Sequence, residues 1–134
     1  MNLLRAERGS VSVLVLGLSL ALIIAIGLAV DGSRKALAAS RATAIAEEAA
    51  RAGGQAVDPH ALANGLVAHI APGEAAAAAR RYLAAAGIPG TVRAESDRIT
   101  VDTTDSVPTV FLGAIGISAL AVHGHGAADL ISAG

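Results

Sequence analysis

His123 and His125 stand two residues apart in a segment, Ser118 to Ala127, that alternates apolar and polar positions. In a strand, residues i and i+2 share a face, so both imidazoles would point the same way, a spacing that can hold a metal ion. Asp129 and His69 could join them only through the fold. Two solvent-facing imidazoles on a polar strand edge are the stronger reading, so no metal is expected, and His123 and His125 are the candidates should one bind. Asp31 is the second group of chemical interest, because it directly follows a long apolar run and a carboxylate at membrane depth is costly unless it has a task or a partner. Arg34 and Lys35 follow at i+3 and i+4 and offer interfacial partners. Together, Asp31, Arg34 and Lys35 read as membrane-exit residues, with Asp31 solvated at the headgroups. Ser, His and Asp all occur, yet none sits in a nucleophile elbow or a Gly-rich phosphate loop. With no Cys in the chain, thiol catalysis and thiolate metal sites are excluded. The sequence contains no catalytic site, calls for no cofactor, and does not read as an enzyme.

The element that places Asp31 is the run Val11 to Val30, twenty residues without a charge, thirteen of them Leu, Ile or Val. As a helix it would span ~30 Å, the thickness of a bilayer's hydrocarbon core. Its Leu, Ile and Val side chains favour insertion by roughly 4 to 8 kcal/mol. A chain of 134 residues has too few other large side chains to wrap a helix that is apolar on every side. A cleavable signal peptide is the competing reading: Arg5 and Arg8 make a basic start, and Ala36-Leu37-Ala38 resembles a cleavage site. Its apolar core should be only about 7 to 15 residues long, and Asp31, Arg34 and Lys35 intervene before that site, so an uncleaved transmembrane anchor is expected. Basic residues flank the span on both sides, so charge alone does not orient it. Gly17, Ala21, Ala25 and Ala29 recur every fourth residue and form a stripe suited to close helix packing.

Net charge is −1, with nine Arg and one Lys, and the chain has a single Phe and a single Tyr. It therefore carries no electrostatic footprint for nucleic acid, and its partners must be recognised by shape. Residues 1–10 form a short basic segment, 11–30 the membrane helix, and 31–53 an extramembrane continuation rich in helix formers. Ala36, Ala39, Thr43, Ala46 and Ala50 cluster on one face of that continuation, and Glu47 and Arg51 form an i,i+4 pair. Span and continuation make one rod of ~40 residues, roughly 60 Å, ended by Gly53-Gly54. Residues 54–134 then form a small α+β domain with a thin core. Asp58-Pro59 opens a short helix around His60 to His69. Pro72-Gly73 breaks the chain before a helix from Glu74 to Ala86, capped by Gly87 and stopped by Pro89. Alternation over Thr91 to Thr103 around Ser96-Asp97 marks a β-hairpin. Val107 to Gly116 reads as one short helix turned inward, Ser118 to Ala127 as a third strand, and the tail after Asp129 as frayed.

Three stretches carry a family resemblance. The first is Arg8-Gly9-Ser10-Val11-Ser12-Val13 leading into the span. The second is Leu28-Ala29-Val30-Asp31, followed by the Ala-rich helix through Glu47, Ala49, Ala50 and Gly53. The third comprises Tyr82-Leu83 with Gly87, Ile99 to Thr103, Val107-Pro108-Thr109 with Phe111-Leu112, and Ala121-Val122. With these the chain resembles the TadE/TadG-like proteins of tight-adherence (Flp-type) pilus assembly. The resemblance implies an α+β, pilin-like architecture in which a long N-terminal transmembrane helix continues into a domain with a small antiparallel sheet. It implies a minor pilin or assembly factor of the bacterial cell envelope, single-pass, with its C-terminal domain extracytoplasmic. Its partners would be other pilus or secretion subunits, further copies of itself, and membrane lipid. Prepilins and the TadE type usually carry Glu five residues after the Gly at which the leader is cut. Counted from Gly9, with cleavage before Ser10, that position is Leu14, which makes the chain more similar to the uncleaved TadG-like variety. A membrane-tethered or secreted module that binds a ligand or metal is the alternative function.

Overall fold

Good helix formers and the absence of proline between Leu4 and Gly54 leave nothing to interrupt an i→i−4 ladder, and helix α1 covers that whole stretch. The structure, a computed structural model, describes residues 4–56, 63–64 and 70–130. The helix expected around His60 to His69 lies outside the described residues, apart from 63–64, as does the tail beyond Leu130. Two compact units form: Met1–Arg34 with Pro108–Leu120, and Lys35–Val107 with Ala121–Gly134.

In the first unit, the side chains of Val11, Leu14, Leu18, Leu22 and Ile26 are all exposed. Ser19 satisfies its hydroxyl on the Val15 carbonyl at 2.8 Å, the i−4 bond that makes a polar side chain tolerable in an apolar helix. Residues 108–120 contain a 3-10 turn, Leu112–Ile115, closed by Gly116 at φ 92°. This stretch does not turn inward as a whole, as the sequence suggests: Val110, Phe111, Ile115 and Ile117 are exposed, and its contacts within the unit are made by its backbone, the Thr109 hydroxyl and one side of the Phe111 side chain.

The second unit is α+β. Helix α2, Pro72–Ala86, begins at the proline instead of after it. Pro is favoured at the first helical position, where its missing N–H has no intrahelical partner to lose. Its C-terminus is a Schellman closure: Gly87 is left-handed at φ 68°, its N–H reaches the Ala84 carbonyl, and the Ile88 N–H reaches that of Leu83. Strands β1 (Gly90–Ala94), β2 (Arg98–Pro108) and β3 (Ala119–Asp129) form an antiparallel sheet in the order β1-β2-β3. Val92 sits opposite Val101 in the hairpin register. Ile99, Val101 and Thr103 alternate inward on β2, and Leu83 from α2 and Ala46, Ala49 and Ala50 from α1 share their core. Each fully buried Ile or Val contributes about 1.5 to 3 kcal/mol, and among the described residues Ile99 and Val101 are the largest apolar side chains fully enclosed. The last described residue, Leu130, is not frayed: it is buried, and its N–H bonds the Asp97 carbonyl at 2.7 Å.

The buried face of α1 in this unit is Ala42, Ala46, Ala49, Ala50 and Gly53, whereas Ala36 is exposed. Of the five residues that share a face in the sequence, Ala46 and Ala50 are buried and Ala39 and Thr43 half-buried; strand β3 lays its backbone across the helix at Ala42 and Ala46. Gly124 and Gly126 make that approach possible: a Cβ on Gly124 would overlap the Ala42 carbonyl, and one on Gly126 that of Ala46. Arg51 pairs with Glu48, at i−3, in place of Glu47.

Candidate functional site

Asp31 is the one carboxylate that the sequence places at the end of the apolar run. Within its unit it meets three consecutive backbone donors of the 108–120 segment. Oδ1 accepts the N–H of Val110 at 2.8 Å, and Oδ2 accepts those of Phe111 at 3.0 Å and Leu112 at 2.8 Å. These N–H groups open the 3-10 turn, where no preceding carbonyl can satisfy them. The side chain is only 2 % exposed, so the expectation of a solvated exit residue gives way to a buried, fully partnered one. The Val110 and Leu112 N–H groups, with smaller help from Phe111 and Arg34, hold its carboxyl below the usual aspartate value against the opposing effect of burial.

One turn before Asp31, Gly27 receives the Phe111 side chain so closely that an added Cβ would lie 2.6 Å from the ring's Cγ. Nothing in the sequence pairs Gly27 with Phe111. The only local signal was a carboxylate in an apolar context, which demands donors without saying where they come from.

The proposed packing stripe, Gly17, Ala21, Ala25 and Ala29, is exposed along its length, and nothing lies within 4 Å of a Cβ built on Gly17. Gly9, Ser10 and Leu14, the residues of the leader question, are helical and exposed. Arg34 and Lys35 are exposed as well.

In the second unit His123 and His125 do share the outward face of β3. They approach different groups of β2: His125 Nδ1 lies 2.7 Å from Asp102 Oδ1, and His123 Nδ1 lies 3.4 Å from Thr104 Oγ1. Asp102 also faces Arg93 at 3.7 Å. Among the described residues no three His, Cys, Asp or Glu side chains gather in a metal-binding group, and His69 lies outside them. A shallow groove beside His125 is lined by Glu47, Arg51 and Gly126 to Ala128. Thr103, buried on the other face, donates its hydroxyl to the Ala42 carbonyl at 3.0 Å, a bond that strand alternation alone does not reveal.

The first unit thus carries an exposed apolar helix with a buried carboxylate at its end, and the second a small sheet packed on the alanines of the helix continuation. Residues 9–56 match the family model of Flp pilus-assembly TadE/G-like proteins. The likeness covers this segment and stops before the sheet. The TadE/G-like segment contains the apolar run, Asp31 and the Ala face under the sheet, and it ends just past α1. It supports a role related to Flp pilus assembly, and its helix is long and apolar enough to cross a membrane. Neither a curated protein nor a solved structure matches the chain.

Proposed function

We propose that this chain is a membrane-anchored, pilin-like structural subunit of a Flp-type pilus or a related secretion apparatus, acting as a minor pilin or an assembly factor. The observation that carries the reading is the stretch Val11 to Val30 within the TadE/G-like segment, whose large side chains are exposed in the isolated chain. Left in water, such a surface would far exceed the apolar patches that soluble monomers tolerate. Lipid and neighbouring helices are the partners that remove the cost.

In this reading Gly17, Ala21, Ala25 and Ala29 form the face on which another subunit's helix packs. Small residues let two backbones approach closely where lipid offers no hydrophobic drive for association. Asp31, Arg34 and Lys35 mark the membrane exit, and the unit built on the helix continuation presents the sheet to other subunits. The role is assembly rather than catalysis.

Two measurements on bacterial envelopes test it. Cysteine introduced at Ala21 or Ala25 is expected to cross-link the chain within the membrane fraction to itself or to other pilus subunits. Recovery of the chain only in the soluble fraction, starting near Ala39, would defeat the reading. The mass of the mature N-terminus separates processing before Ser10 from retention of the N-terminal segment.

A further inference from the structure

We propose that the segment Val110 to Ile117 is a second membrane contact, an apolar turn that dips into the same leaflet that α1 leaves at Asp31. The proposal rests on the reading of Val11 to Val30 as a transmembrane span.

Depth is the first argument. If the span is centred on the bilayer, Gly27 lies ~10 Å from the midplane by helix rise, inside a hydrocarbon half-thickness of ~15 Å. Phe111 packs directly on Gly27, so its ring sits below the hydrocarbon boundary, next to lipid.

Composition is the second. From Ser106 to Val122 the chain carries no charged residue and no His. Val110 is 55 % exposed and Ile115 73 %, the reverse of a loop built for water. Lipid fits such a patch because the patch adjoins the exposed apolar surface of the span within one compact unit.

Backbone satisfaction is the third. Irregular chain at membrane depth is tolerated only when its polar groups are bonded within the protein. Thr109 N–H bonds Ser118 O, those of Val110, Phe111 and Leu112 bond Asp31, and those of Ala114, Gly116 and Ile117 bond carbonyls of the turn itself. The Thr109 hydroxyl closes on the Ile117 carbonyl. Asp31 thus supplies the acceptors that let the turn leave water.

The chain has no native Cys, so single-site nitroxide labels report cleanly. The full chain carrying Leu18→Cys, Val110→Cys or Ile115→Cys is reconstituted in phosphatidylcholine/phosphatidylglycerol vesicles. Collisions with oxygen, which concentrates in lipid, are compared with those of a water-soluble nickel complex. All three sites are exposed, and far-UV circular dichroism checks the fold of each variant. The expected result is an oxygen-to-nickel ratio at Val110 and Ile115 several-fold above that of the free label in water, approaching the ratio at Leu18. A high ratio at Leu18 with a water-like ratio at Val110 and Ile115 overturns the second contact and leaves the anchor standing. A water-like ratio at Leu18 removes the anchor, and the proposal with it. Shielding of Val110 and Ile115 from both reagents also overturns it, since protein rather than lipid would then cover the turn.

Discussion

The carboxylate of Asp31 accepts the backbone N–H of Val110 at 2.8 Å across 79 residues of sequence. With the neighbouring N–H groups of Phe111 and Leu112 on its other oxygen, the bond fastens the 108–120 turn to the end of the apolar helix.

That fastening is expected to depend on pH in one direction. The Asp31 pKa is lower folded than unfolded, so its stabilisation is fully present above the ordinary aspartate value of about 3.9. It is lost as pH falls through the lower, folded value. Protection of the Val110, Phe111 and Leu112 amides, taken relative to their intrinsic exchange rate at each pH, should hold from neutral pH down to that range and fall below it. Asp31→Asn should expose at least the Val110 amide at every pH, because an amide group keeps one good acceptor and turns a donor toward the other N–H. Unchanged protection in the Asn variant would show that the carboxylate does not hold the turn.

Gly124 and Gly126 are expected to be intolerant of any larger side chain. Val at either would overlap helix backbone, which cannot swing aside as a flexible side chain can, and overpacking of this kind costs about 1 to 3 kcal/mol or more. Gly32 provides the contrast, for nothing lies within 4 Å of its built Cβ. Gly32→Ala should stabilise α1 by about 0.5 to 1 kcal/mol through helix propensity. Thermal unfolding in detergent, followed by circular dichroism, distinguishes these outcomes.

Ile99→Ala should cost about 2 to 5 kcal/mol, because it opens a cavity in a core with few other large side chains. Thr103→Val keeps the shape and removes only the bond to Ala42, for a loss of about 0.5 to 1.5 kcal/mol. A Thr103→Val variant as damaged as Ile99→Ala would mean that the bond to α1 does more than an ordinary buried hydrogen bond.

The paired variant His123→Ala/His125→Ala should leave thermal stability within about 1 kcal/mol of the parent, as expected for exposed contacts. Zinc or nickel should not raise the parent's melting temperature. A metal-dependent rise that disappears in the paired variant would revive the ligand-binding alternative.

By itself, the sequence determined whatever local pattern controls. Uncharged Val11 to Val30 could only be an apolar helix, Gly87 closes α2 through its own backbone geometry, and the alternation over Thr91 to Thr103 dictates a hairpin. Ile99, Val101 and Thr103 were legible as one face for the same reason, a two-residue period. Tertiary structure alone decided which distant groups meet. An aspartate at a membrane exit reads as solvated until three N–H groups arrive from 79 to 81 residues away. The alanines of the helix continuation look alike until Gly124 and Gly126 lay strand backbone over Ala42 and Ala46. Val107 to Gly116 reads as core because its side chains are apolar. Its backbone bonds to Asp31 and within the turn leave Val110, Ile115 and Ile117 facing outward while Phe111 lies against Gly27, and no local periodicity encodes that outcome.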